Sequence, residues 1–103
     1  MPDLRDRTLT AADLLAFEPG DKVTLARCDL RGVRARDVDL DGAVLEECLL
    51  DGADLTGSRL GGSVWRGGSA RGARLERCDL GDARLERVDL SEAVLTGSLL
   101  TDA

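Results

Sequence analysis

The sequence predicts a single-domain repeat solenoid whose chain turns a corner every five residues, and three observations carry that prediction. Stepping by five from Leu25 to Leu100 visits sixteen positions, of which thirteen are Leu; the exceptions are Ala35, Trp65 and Ala70. Two residues before each stands a small or β-branched residue, from Val23, Cys28 and Val33 through Ala83, Val88, Ala93 and Ser98. Finally, a period of five matches neither the 3.6 of a helix nor the 2 of a strand, so only a chain that bends at each repeat keeps these positions on one side.

Composition agrees with this and removes other classes. With 103 residues there is room for one small domain and not for two separate cores. One Phe, one Trp and no Tyr mean that the interior is built from Leu and small residues. Twenty acidic against fourteen basic residues leave a net charge of −6 and a pI near 4.6, which argues against direct binding of nucleic acid. His is absent, which excludes imidazole metal ligands, His general bases and Ser-His or Cys-His nucleophiles. Three cysteines without CxxC spacing fit reduced thiols better than a disulfide framework or a zinc site. Residues 1–6 show no apolar run behind a basic start, and no window approaches the ~18 apolar residues of a membrane span. A cytoplasmic protein without cofactor, metal or membrane contact is expected.

Ala53-Asp54-Leu55-Thr56-Gly57 and Cys78-Asp79-Leu80-Gly81-Asp82 show the repeat most clearly. In these residues the chain resembles the pentapeptide-repeat family over roughly four-fifths of its length, from about residue 22 to residue 103. The resemblance implies an all-β, right-handed quadrilateral β-helix of about four coils, four repeats to a coil, with the central Leu and the small residue two before it pointing inward. Residues 20 apart then become stacked neighbours, about 4.8 Å apart. Ten charged pairs in the repeat region are separated by 20, and nine are opposite in sign, among them Arg34/Asp54, Asp39/Arg59, Glu46/Arg66 and Arg59/Asp79; Asp82/Asp102 is the exception. Chance gives about half, so the alternation supports the coil and predicts charge ladders up its sides.

Each element follows in order. Thr10, with Asp13 three residues on and helix formers between, predicts a short helix within residues 10–18, stopped by Pro19-Gly20, whose Leu14 and Phe17 face the first coil. Residues 1–21 are thus read as a capping segment and 22–103 as the β-helix. A competing reading extends the solenoid, because Leu4, Leu9 and Leu14 are also spaced by five; it needs a one-residue break before Leu25. Trp65 and Ala70 interrupt the Leu series with Gly68 between them, which reads as volume compensation inside the third coil, against the alternative of an outward Trp65 anchor. Cys28 and Cys48 share one inward column and are read as packing residues. Gly61-Gly62 and Gly67-Gly68 stay in register and are read as corners; the stretch lacks the Gly-Lys-Ser/Thr end of a phosphate loop.

Functional signals lie on the outside. The side centred on Leu40, Leu60, Leu80 and Leu100 gathers Asp39, Asp41, Asp79, Asp82 and Asp102 against Arg59, a net of −4, and is the candidate partner-binding face. Sides centred on Leu25 and Leu55 each come to about +1. Val94 and Leu99, just before central Leu positions, make the last coil apolar, so Val94, Leu99 and Leu100 are the candidate interface of a homodimer. Val44, Leu49 and Val64 form a second, lateral apolar patch. No catalytic constellation emerges, and the expected function is a rigid protein-interaction scaffold. The family resemblance implies an alternative: acidic members resemble B-DNA in size and charge and bind DNA gyrase or topoisomerase IV in its place.

Overall fold

The computed structural model describes residues 3–18 and 20–101. Five short parallel strands stack in sequence order on one side of the molecule: β1 (Asp3–Arg5), β2 (Thr24–Ala26), β3 (Val44–Glu46), β4 (Val64–Arg66) and β5 (Arg84–Glu86). From β2 onward the register is 20 residues, pairing Leu25 with Leu45, Leu45 with Trp65 and Trp65 with Leu85. The other three sides are held by single parallel bridges at the same spacing, in the columns Asp29/Leu49/Ser69/Asp89, Arg34/Asp54/Arg74/Val94 and Asp39/Arg59/Asp79/Leu99. Four pentapeptides therefore make one four-sided coil, and about four coils make a β-solenoid. Its extents, 28 × 26 × 22 Å, describe a stub rather than a rod.

Two kinds of residue fill it. Twelve consecutive central positions, Leu25 to Leu80, are 2% exposed or less, and between them lie Val23, Cys28, Val38, Ala43, Cys48, Ala53, Ala73, Cys78 and Ala83. Polar side chains at the small position act on backbone groups of the coils. Cys28, Cys48 and Cys78 donate their thiols to the carbonyls of Leu4, Leu25 and Leu55 at 3.1–3.3 Å. Ser58 Oγ accepts from the Val38 amide at 3.1 Å. Trp65 lies inside, 1% exposed, as the volume argument anticipates. Its indole Nε1 donates to Ser63 Oγ at 3.0 Å, and Ser63 donates on to the Leu60 carbonyl at 2.7 Å. A polar ring nitrogen in an apolar core needs such a partner.

At the N-terminal end both readings of the sequence hold in part. β1 adds a strand to the sheet, in a register of 21, so Leu4 stacks on Leu25 and the one-residue break lies between the two strands. The helix follows as α1 (Ala11–Leu15), with Thr10 and Asp13 forming a reciprocal capping box: the Asp13 amide donates to Thr10 Oγ1 at 3.3 Å and the Thr10 amide to Asp13 Oδ2 at 2.8 Å. α1 is shorter than expected and ends at the Ala16 cap, before Pro19, which lies outside the described residues. Leu14 is fully buried beneath it and Phe17 packs partly against the core.

The charge ladders need correction. Their register is as expected, but of the pairs 20 apart only Arg66–Glu86, at 3.5 Å, is a direct ion pair among the described residues. Arg36–Asp54, Arg59–Asp41 and Arg71–Asp89, at 3.1, 3.2 and 3.8 Å, are 18 apart. In each, the guanidinium reaches diagonally past an inward residue to an outward carboxylate of the neighbouring coil. The reason is local. Asp29, Asp39, Asp54, Asp79 and Asp89, each just before a central position, turn a carboxylate oxygen to the amide two residues on, at 3.0–3.2 Å. These Asp side chains serve first to hold the corner.

Candidate functional site

The side centred on Leu40, Leu60 and Leu80 is concave. Its corners are Gly42, Gly61, Gly62 and Gly81, which carry no side chains, and they leave an open groove of about 650 Å³. Asp39, Asp41, Asp79 and Asp82 line it, so the structure brings together four of the five acidic residues singled out from the sequence. The fifth, Asp102, lies outside the described residues. The floor is backbone: the Gly42 amide donates to the Gly61 carbonyl and the Gly62 amide to the Gly81 carbonyl, both at 2.8 Å. Gly42 and Gly62 have φ of 72° and 65°, and Asp82 takes the corresponding left-handed corner at 60°.

Two cations temper this face. Arg59 sits between Asp39 and Asp79 in their column and pairs with Asp41 at 3.2 Å. Lys22, which sequence spacing did not assign here, also lines the groove, and without Asp102 the described lining is four Asp against Lys22 and Arg59, a balance of −2. Asp41 is the most engaged carboxylate, accepting the Gly61 amide of the next coil at 2.9 Å in addition to Arg59. Asp39 and Asp79 cap their own corners through one oxygen each. What this arrangement can do is recognise positive charge with preset groups. Among the described residues no His, Cys, Asp and Glu side chains group as a metal-ligand set.

The three thiols, Cys28, Cys48 and Cys78, lie away from the groove and are buried. Burial pushes Cys48 up to about 11 and Cys78 above its ordinary value. The strongest carboxylate shifts belong to corner residues outside the groove. A hydrogen bond from the Thr56 hydroxyl, aided by the Thr56 amide and Arg36, holds Asp54 down at about 2. Hydrogen bonds from Arg31, through side chain and amide, do the same for Asp29.

The apolar candidates are in different states. Leu99 is 61% and Leu100 49% exposed, with Val94 half-buried beside them. Val44 and Val64 are stacked partners on the strand side, half-buried, and Leu49 stands on the adjoining side. No helix among the described residues is long and apolar enough to cross a membrane. Sequence reasoning missed Lys22, Gly42 and Gly81 on the acidic side; it read Gly61 and Gly62 as corners but did not place them on that face. A column spacing of 20 through Lys22, Gly42, Gly62 and Asp82 was the available signal.

A four-sided parallel stack of five-residue repeats, with side chains in fixed columns, defines a β-solenoid repeat protein. The chain belongs to the pentapeptide-repeat family, whose model, pentapeptide repeats, matches eight copies over residues 23–67 and 70–103. Among solved structures it is similar to HetL, a pentapeptide repeat protein involved in heterocyst differentiation regulation from the cyanobacterium Nostoc sp. strain PCC 7120. That match has 27% identity and a TM-score of 0.71, over 95% of this chain and 40% of HetL. It is also similar in fold to QnrB1, a plasmid-mediated fluoroquinolone resistance protein, at 19% identity and a TM-score of 0.53, over 94% of this chain and 52% of QnrB1. The chain thus spans about half or less of the length of these two structures. No curated protein matches the sequence.

Proposed function

We propose that this chain is a non-catalytic, rigid interaction scaffold whose partner-facing surface is the glycine-floored groove of Asp39, Asp41, Asp79 and Asp82. The observation that carries this reading is the convergence of the four carboxylates on one concave side. Hydrogen-bonded coils hold the groove's backbone in place, so a partner does not have to order it, which lowers the cost of association. The fitting partner is a protein segment carrying Lys or Arg. A fluorescent Arg-rich peptide should bind saturably, more weakly as salt rises, and lose affinity about tenfold or more when the four Asp residues become Asn. Equal binding by the variant would overturn the assignment.

A second reading has its own support: net charge −6, this acidic side, and a fold shared with a fluoroquinolone resistance protein. In it, the chain takes the place of DNA on gyrase or topoisomerase IV. Lys22 and Arg59 weigh against it, because a DNA duplex carries an uninterrupted negative track. Salt-sensitive inhibition of gyrase supercoiling, lost in the same Asn variant, would favour the mimic over the general scaffold. Inhibition by neither protein would remove it.

The homodimer belongs to this proposal as well. A second copy covering Leu99, Leu100 and the edge of Val94 would bury apolar surface that the last described coil exposes. Light scattering should then give twice the mass of one chain, and the Leu99→Ser, Leu100→Ser double variant should give one. A wild type of single mass would end that part of the proposal.

A further inference from the structure

The side next to the acidic groove, centred on Ala35, Leu55 and Leu75, carries a smaller recess of about 260 Å³ lined by Arg34, Arg36, Gly52, Asp54 and Arg74. Three guanidinium groups there meet a single carboxylate. Asp54, only 8% exposed, is already fully occupied. One of its oxygens accepts the Thr56 amide at 3.1 Å and the Thr56 hydroxyl at 2.5 Å; the other accepts Arg36 at 3.1 and 3.3 Å. Arg34 and Arg74 are its bridge partners in the coils on either side, yet neither makes a direct ion pair with it. Arg74 makes one long contact, 3.5 Å, to Glu76 outside the recess. Both arginines are exposed, and the rim at Gly52 is open, since a side chain placed there would meet nothing within 4 Å.

The lining therefore carries a surplus of two positive charges, held two coil spacings apart around a neutralised carboxylate. We propose that this recess binds a doubly charged phosphate-type oxyanion between Arg34 and Arg74, with Arg36 held beside it by Asp54. The charge matches: a phosphate monoester carries about −1.5 to −2 at neutral pH, and planar guanidinium forks suit its oxygens. So does the size, because the recess has space on the order of eight waters, enough for one phosphate group and part of its hydration. A chain carboxylate, with a single charge, would use only half of the surplus. Two sources supply the chemistry, free phosphate and a phosphorylated side chain of a protein.

Isotope-labelled full-length protein should be titrated at low salt with inorganic phosphate and, separately, with a phosphoserine peptide and its unphosphorylated form. The account expects saturable shifts at the Gly52 amide and the Nε groups of Arg34, Arg36 and Arg74. Arg34→Gln with Arg74→Gln should weaken binding about tenfold or more without lowering the melting temperature, because both side chains are exposed. Arg66→Gln with Arg84→Gln, on the strand side, should leave it unchanged. A phosphopeptide that binds about tenfold tighter than inorganic phosphate assigns the site to a protein-borne group; equal affinities assign it to the free ion. Shifts that do not saturate, that spread evenly to Arg66 and Arg84, or that survive the Arg34/Arg74 change would overturn the proposal.

Discussion

The middle coils and the last described coil have the same repeat and the same backbone, yet their interiors differ. In the middle coils, Leu45, Leu50, Leu55 and Leu60 are each 2% exposed or less, with a coil stacked on both sides. In the last, Leu85, Leu90 and Leu95 are only partly buried and Leu100 is 49% exposed. At the other end, the first regular coil has Leu25 and Leu30 buried, because β1 and α1 lie over it and Leu14 fills the space beneath the helix. A pentapeptide side chain thus takes its burial from its neighbours above and below rather than from its own repeat, as expected of a one-dimensional stack.

That comparison can be broken most directly in the middle coils. Trp65→Ala should cost about 3–5 kcal/mol and Leu55→Ala about 2–5 kcal/mol in denaturant unfolding, against about 1 kcal/mol for Leu95→Ala. Equal losses at Leu55 and Leu95 would show that position along the stack does not govern stability. Gly68→Ala should come next, at about 3 kcal/mol. Its φ is 85°, and the new Cβ would collide with the Cys48 carbonyl oxygen, a backbone atom that cannot step aside.

Titration sharpens the same contrast. Asp29 and Asp54 hold folded-state values of about 2, below the ordinary 3.8, so the stability they add is present above about pH 4 and is lost as pH falls toward 2. Asp54→Asn should flatten the acid limb of a stability-against-pH curve. Cys48 works in the opposite direction: raised from 9.0 to about 11 by burial, it favours the folded state fully below pH 9 and progressively less up to 11. Cys48→Ala should reduce the alkaline loss. Smaller still is the helix cap, where Thr10→Ala should cost about 1 kcal/mol. Smallest is the exposed Arg66–Glu86 pair, whose removal should cost under about 1 kcal/mol by double-mutant cycle.

The repeat was legible in its period of five, and the four-sided coil in the family resemblance that the repeat carries. The 20-residue charge alternation reported the stacking register even though three of the ion pairs between coils run diagonally, while Arg66–Glu86 runs straight up a column. What it could not report was the competing use of the same carboxylates: Asp39, Asp54 and Asp79 close their own corners before they meet an arginine. The N-terminal segment was ambiguous for a physical reason, since residues 3–9 obey the repeat and residues 10–15 obey helix-capping rules, and the structure uses both. In the candidate site, the four acidic positions followed from column arithmetic. Its concavity did not, because it depends on glycines that coincide at successive corners, and Lys22 enters from just before the first regular coil. The arginine recess was hidden for a similar reason: a side counted as nearly neutral concentrates its surplus at one place.

The central claim, that the acidic groove is the partner surface, is tested most directly by mapping where a cation-bearing segment lands. Amide chemical shifts of the labelled protein should be followed as an Arg-rich peptide is added. The account predicts saturable changes centred on Gly42, Gly61, Gly62 and Gly81, absent from the variant in which Asp39, Asp41, Asp79 and Asp82 are Asn. Changes centred instead on the strand side around Glu46 and Glu86, or equal in the variant, would contradict it.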